Sequence, residues 1–340
     1  MEQSRTAIIV LNWNGWAHTI RCLESIYRLD AAAIALYVCD NASSDGSPEI
    51  IAEWSARQVP ELNDARLARG LDTTPFTFLP TGANLGYAGG NNVGLRHALA
   101  DGCANFWVLN NDCEVAPDAL THLRARLEAD PAIGLCGATL VHTTDPARIQ
   151  AMAGAAFDRL KGRGIALGAD ASLDTPVDAA AVEAKLAYIN GAAVLVTRAF
   201  LETVGLMSED YFLYWEELDW ARRAGKRFRL GYAPAAIVRH AVGASIGTGH
   251  FGEGSALSIY YLARNRLHFC RRHSRLSLPF VYVDTARQVL QHLATGNIER
   301  AGLLFRAVFN LPFDQTDSSL ARRGSWPAHP SRNCESSSTN

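Results

Sequence analysis

Three short apolar runs, each ending on oxygen-bearing side chains, constrain this chain more than any other feature. Residues 7–11 lead into Asn12, residues 34–39 into Asp40, and residues 106–109 into Asn110, Asn111 and Asp112. Runs without polar alternation suit strands buried on both faces, as in parallel sheets covered by helices. Between them lie segments of helical spacing, such as Ile20, Leu23, Ile26 and Tyr27. A fourth run over 76–79 completes four strand–helix alternations, so the expected fold begins as a mostly parallel, doubly wound sheet. Ligands bind such sheets at the carboxyl ends of the strands, which would put Asn12, Asp40 and Asp112 on one edge. Asn-Asn-Asp is also good turn chemistry, so that edge alone does not separate a site from a solvated turn.

The stretch 81–94 (TGANLGYAGGNNVG) reads as a glycine-rich loop opening a helix. Glycine lets a backbone approach a ligand, and a helix N-terminus favours anions, so Asn84, Gly90 and Asn91 are candidates for holding a phosphate. A loop that merely turns is the alternative. Neither a G-x-G-x-x-G nor a Walker pattern is present, which disfavours both of those nucleotide sites. Residues 48–57 should form a helix, 56–75 an irregular connection or a short helix, and 143–178 a long, partly mobile excursion with little periodicity. A strand is expected over 133–141, and a buried one over 186–196 whose Asn190-Gly191 marks a bulge or a close backbone approach. A helix from about Tyr214 is signalled by acids first (Glu216, Glu217, Asp219), arginines last and Gly225 at its end. Those acids could instead serve the helix dipole, with Asp219 paired to Arg222 or Arg223. Short strands over 228–232 and 236–238 should end at Arg239-His240 and a small-residue loop over 242–247. Helices from Ser255 to Phe313 carry a basic and apolar mix that could lie on an anionic surface, although packing on the core is the commoner use of such helices. The last ~27 residues have the composition of a disordered tail.

A net charge of −2 argues against a nucleic-acid binder, which would usually be basic overall. Seven scattered cysteines with no C-x-x-C pair fit reduced thiols in a cytoplasmic setting. No signal segment and no run of ~20 apolar residues is present, so any membrane contact would be made from the surface.

In order, LNWNG (11–15), CDNASSDGS (39–47), NLGYAGGNNVG (84–94), LNND (109–112), NGAAVLVTR (190–198), FLYWEELDW (212–220) and RH (239–240) resemble inverting family 2 glycosyltransferases of the GT-A fold. The rhamnosyltransferase-like bacterial branch is the most similar, and the resemblance spans roughly residues 6–272. It implies a Rossmann-like, mostly parallel sheet flanked by helices over 1–240, with a nucleotide-binding half (1–115) and an acceptor-binding half (116–240). A helical extension (241–313) and a disordered tail (314–340) would follow. Asp40 matches the acid that binds the donor's base; Asn12 and Asn84 lie in the nucleotide loops, with Gly90, Asn91 and Asn111 beside them. Asn110-Asn111-Asp112 matches the D-x-D element that holds Mg²⁺ or Mn²⁺, with Asp112 as the ligand and Asn in the first position. His240 matches a histidine that joins the metal or the diphosphate. Glu216-Glu217 matches a Glu-Asp pair whose second member is the general base, which implies Glu217 as the base with Glu216 as the fallback; here that arm is one methylene longer, and Ser208 replaces the usual preceding acid.

The activity implied is transfer of a sugar, with dTDP-rhamnose the favoured donor, to a hydroxyl of a glycan or lipid-linked acceptor in bacterial surface polysaccharide synthesis. The protein would be cytoplasmic or peripheral on the inner membrane. A galactofuranosyl or hexosyl transferase of the same fold is the nearest alternative. An NAD-dependent oxidoreductase would need glycines where Asn12-Trp13-Asn14-Gly15 stands, and a non-catalytic binding module could have lost any of Asp112, Glu217 and His240.

Overall fold

The computed structural model describes residues 5–241 and 255–313. The small-residue loop over 242–247 and the expected disordered tail lie outside the described residues. The first apolar runs become β1 (Thr6–Asn12), β2 (Ile34–Asp40), β3 (Phe76–Pro80) and β4 (Asn105–Asn110), alternating with α1 (Trp16–Tyr27), α2 (Ser47–Ala68) and α3 (Gly86–Ala100). All adjacent pairs in the order β3-β2-β1-β4 are parallel. The absence of alternation in β1 has a direct cause. Ile8 and Val10 pack into one core with α1 and α2, while Ala7 and Ile9 pack into a second core with α3.

The remaining main-sheet strands make the other half of the sheet mixed rather than parallel. They are β5 (Cys113–Val115), β6 (Ile133–His142), β7 (Ile149–Met152), β11 (Ala193–Thr197) and β12 (Arg229–His240), and the sheet continues from β4 as β11-β6-β12-β5, with β7 also on β6. Strand β11 runs antiparallel to both β4 and β6, whereas β12 is parallel to β6 and antiparallel to β5. Helix α4 (Ala119–Ala129) packs on β12 and β6. A second sheet, of order β10-β8-β9, is built from β8 (Gly154–Asp158), β9 (Arg163–Ala166) and β10 (Tyr188–Ile189). The chain continues through the short α5 (Ala179–Glu183), α6 (Arg198–Val204), α7 (Glu216–Ala224), α8 (Ala256–His273), α9 (Leu278–Ala294) and α10 (Ile298–Val308).

Four segment expectations change. Helix α2 does not stop near residue 57 but passes through Pro60 to Ala68, where the fully buried Arg66 donates to the carbonyls of Leu29 and Ala31. Tertiary anchoring of this kind overrides the weak helical pattern. The excursion over 143–178 is ordered, carrying β7, β8 and β9. Its small residues are required by packing, since a Cβ on Gly154 would lie 2.1 Å from the Tyr188 carbonyl oxygen. Residues 186–196 form two strands in different sheets, breaking at Asn190-Gly191. The two short strands over 228–238 are one strand, β12, with a bulge. Among the described residues no helix is long and apolar enough to cross a membrane.

Candidate active site

The carboxyl edge of the parallel strands is tied together by short polar side chains. Asn12 donates to Asp40 Oδ1 at 2.7 Å and to Ser43 Oγ at 3.1 Å, and its own Oδ1 accepts from Thr19 at 2.6 Å. Asp40 also accepts from the Ser43 backbone and hydroxyl, so its buried carboxylate braces the β2–α2 loop. Asn111 Nδ2 reaches the Thr19 hydroxyl at 3.1 Å from the other side. Next along, Asn41 donates to Asn84 Oδ1 at 2.9 Å and to the Gly86 carbonyl, while its Oδ1 accepts from the Leu85 N–H. Asn41, Asn84 and Asn111 line a cavity of about 440 Å³; Asn12 and Asp40 stand behind that wall.

Gly90 and Asn91 lie elsewhere than a ligand loop. Helix α3 begins at Gly86, so both residues are inside it, buried and off the cavity wall. A Cβ on Gly90 would lie 2.4 Å from Leu11 Cδ1, so this glycine serves helix-on-sheet packing. Asn91 turns back on its own helix to the Tyr87 carbonyl. The glycine density read as phosphate approach is, at these positions, close packing.

The opposite wall is set by strand register. Leaving β4 at Asn110, the chain crosses to pair β5 with β12, with Cys113 opposite His240. That pairing sets Asp112 beside the histidine, with His240 Nε2 3.3 Å from Asp112 Oδ1. His240 Nδ1 lies 3.0 Å from Gln150 Oε1, a contact that holds the ring with Nε2 facing the Asp112 carboxylate. Asp112 Oδ1 is buried and accepts no hydrogen bond. A ring nitrogen and a carboxylate oxygen with no hydrogen bond, 3.3 Å apart, can converge on one cation; a histidine held at its other nitrogen is the usual arrangement of a metal ligand. Cys113 Sγ is also close, but burial and the Asp112 charge push its thiol well up and it donates to the Ala192 carbonyl. A hard ion such as Mg²⁺ or Mn²⁺ would take the oxygen and nitrogen donors, not that thiol. Asn110 also lines the cavity, while its backbone N–H is taken by the Ala192 carbonyl.

The third wall carries the acids of α7. Glu216 is buried with Oε2 unpartnered, and burial followed by the charge of Glu217 holds its carboxyl well above the usual range. Glu217 is partly exposed to the cavity. Burial raises its carboxyl too, opposed by hydrogen bonds from its own N–H and that of Gly191. A Cβ on Gly191 would lie 2.3 Å from Glu217 Oε1, which explains the glycine in the break between β10 and β11. Asp219 turns away from the cavity. Fully buried, it is paired to Arg223 at 2.7 Å and His273 at 2.7 Å, the structural alternative read from its spacing.

Several residues of the site went unnoticed in the sequence. Asn41 stands beside Asp40 in a loop where every side chain looks like turn chemistry. Gln150 lies in the segment with no periodic signal. Asn265, in α8, donates to the carbonyls of Tyr211, Leu213 and Tyr214, the segment immediately before the acids, and only an adjacent strained backbone gives it meaning.

Residues 7–168 match the family model described as Glycosyl transferase family 2. An N-acetylglucosaminyl-diphospho-decaprenol L-rhamnosyltransferase of Mycobacterium tuberculosis is 24% identical over 249 residues, 68% of this chain and 75% of the relative. The low-salt glycan biosynthesis hexosyltransferase Agl10 of Haloferax volcanii is 24% identical over 219 residues, 64% of this chain and 61% of its own. Among solved structures, the mannosyltransferase PcManGT of Pyrobaculum calidifontis, in complex with GDP-Man and Mn²⁺, superposes with a TM-score of 0.55 at 18% identity. That match covers 92% of this chain and 88% of the other. Residues 1–349 of S. aureus TarS, in complex with UDP-GlcNAc, give 0.51 at 12% identity over 89% and 81%. Residues 7–168 are thus similar to Glycosyl transferase family 2 domains, and the chain has the GT-A fold.

Proposed function

We propose that this enzyme transfers a sugar from a nucleoside diphosphate to a hydroxyl of a glycan or lipid-linked acceptor, with inversion and with Glu217 as the base. One observation carries the reading: Glu217 and the Asp112–His240 pair line a single cavity whose remaining wall is the Asn41–Asn84 edge of the parallel sheet. In a single displacement, the acceptor oxygen bonds to the anomeric carbon as the bond to the diphosphate breaks, and the acceptor proton passes to Glu217. Glu217 is favoured over Glu216 because the Gly191 N–H stabilises its charged form, whereas Glu216 has an unpartnered buried oxygen. Asp112 and His240 would hold Mg²⁺ or Mn²⁺, with Asn110 beside them. Such an ion supplies neutralisation of the charge on a departing diphosphate.

dTDP-rhamnose is the favoured donor; the name of the mycobacterial relative supports rhamnose as the sugar and a lipid-linked acceptor, N-acetylglucosaminyl-diphospho-decaprenol. That acceptor supports a place in cell-envelope polysaccharide synthesis on the cytoplasmic side. A hexose donor is the second reading, supported by the Haloferax hexosyltransferase. Thermal melts with dTDP, UDP, GDP and NAD, each with and without Mn²⁺, test it. Metal-dependent stabilisation by one diphosphate, lost in Asp112→Ala, is expected; a response to NAD alone would overturn the reading.

A further inference from the structure

The exposed apolar side chains of this molecule are concentrated on its C-terminal helices. In α9, Phe280, Val283, Leu290 and Leu293 recur at steps of three and seven, and all are exposed. The opposite side of the same helix buries Val281 and Thr285. In α10 and its C-cap, Ile298, Phe305 and Phe309 recur at steps of seven and four and are likewise exposed, while Ala301, Leu304 and Ala307 face the interior. The most exposed is Leu276, at 85%, in the short turn between α8 and α9. That turn is seated on the tip of the β8–β9 hairpin, where the Ser277 hydroxyl donates to the Arg159 carbonyl and Leu160 is 63% exposed. Further along the hairpin, Arg163 and Gly164 line the catalytic cavity. The apolar surface therefore runs to the rim of the site.

Its charge selects the partner. Residues 271–313 contain six arginines and two acids, a local balance of +4 in a chain whose net charge is −2. Arg275 and Arg306 are held by backbone carbonyls, not carboxylates, so their charge is uncompensated by those contacts. A second copy of this chain, meeting the same face by two-fold symmetry, would set arginine against arginine. An anionic bilayer accepts apolar side chains below the headgroups and arginines among them. Arg272 is instead neutralised by Asp210 at 3.7 Å and Asp219 at 3.9 Å.

We infer that the hairpin tip at Leu160, the turn at Leu276 and the outer face of α9 form a docking surface for an anionic lipid bilayer, bringing the cavity rim to the membrane. The surface is independent of the chemistry proposed for the cavity.

The test is co-sedimentation of the full chain with phosphatidylglycerol–phosphatidylcholine vesicles and with phosphatidylcholine alone, at low and high salt. Binding to the anionic vesicles that weakens with salt is expected. Leu160→Asp/Leu276→Asp should lower the bound fraction at least tenfold, and Val283→Asp/Leu290→Asp should do so independently. Each variant is also melted with the stabilising diphosphate and Mn²⁺, so an unfolded variant is recognised and the cavity is read separately. Unbound wild type, unchanged binding by both folded variants, or a dimer in light scattering that the variants dissociate would overturn the proposal. Failure of vesicle binding with the diphosphate response intact would sink the docking surface alone. Vesicle binding with no diphosphate response would sink the sugar-transfer reading alone.

Discussion

A carboxylate acts as a base only while deprotonated, and the surroundings of Glu217 pull it both ways. Burial raises its carboxyl above the ordinary glutamate range, and the Gly191 N–H limits the rise. The rate should therefore fall as pH drops through that raised pKa, giving an acid limb above about 4.5 in a kcat/KM profile. Glu217→Gln removes the proton acceptor while keeping the shape, and transfer should drop by about 10²–10⁴-fold with diphosphate stabilisation retained. Gly191→Ala would drive a methyl into the carboxylate and should lower transfer without abolishing the diphosphate response. Asp219 offers a contrasting case. Burial alone would raise its carboxyl, but hydrogen bonds from His273 and Arg223 hold it below the ordinary aspartate range. A lowered folded-state pKa contributes stability present above the unfolded value of about 3.8 and lost as pH falls through the folded one. Asp219→Asn should cost about 3 kcal/mol near neutrality and flatten the acid side of a melting-temperature profile, because it leaves Arg223 and His273 unpaired.

Elements decide where these residues point, and here the sequence was legible in part. The carboxyl ends of β1, β2 and β4 could be read because doubly buried strands leave an unbroken apolar signature, and their polar ends then fall on one edge. The adjacency of Asp112 and His240 could not, since it depends on β5 crossing to pair with β12, a register no local pattern records. Nor could the backbone before α7, where Phe212, Tyr214 and Trp215 all have φ near +60° to +80°. Such conformations cost roughly 1–3 kcal/mol each and persist only when held. Helix α8 does the holding: Asn265 takes three carbonyls of that segment, Tyr261 stacks on Phe212, and Ser258 meets the Tyr214 hydroxyl at 3.0 Å. Asn265→Ala should relax the segment and displace Glu217. A fall of roughly tenfold in kcat is expected, with the diphosphate-induced thermal shift reduced far less, because Asn41 and Asn84 also hold one another across the sheet edge. Loss of both readouts together would mean that the variant merely unfolds.

At the scale of the whole molecule, the cavity is walled by elements that belong to separate buried cores. The Asn41–Asn84 edge, proposed to take the nucleotide, rests on the two cores that sandwich the main sheet. The small sheet and helices α8 and α9 share a third core, including Tyr211, Leu218, Leu267, Phe269 and Val281. Arg266 fastens the elements around that third core. Almost wholly buried, it donates to the Gly162 carbonyl at 2.9 Å, to the Lys161 carbonyl, and to Asp284 at 2.7 Å in α9. One planar fork thus ties the β8–β9 hairpin to the helices, a geometry that lysine cannot reproduce. Arg266→Ala would leave the buried Gly162 carbonyl, the part-buried Lys161 carbonyl and a half-buried carboxylate short of donors, at a cost of about 2–3 kcal/mol. The melting temperature should fall by about 5 °C, and Arg266→Lys should recover less than half of that. Because the Asn41–Asn84 edge contains none of these groups, the added stabilisation from diphosphate and metal should keep its size on the lowered baseline. A diphosphate response that shrinks in proportion to the melting temperature would instead show the separate cores to be one cooperative body, with the cavity wall at Asn41 and Asn84 dependent on the distant helices.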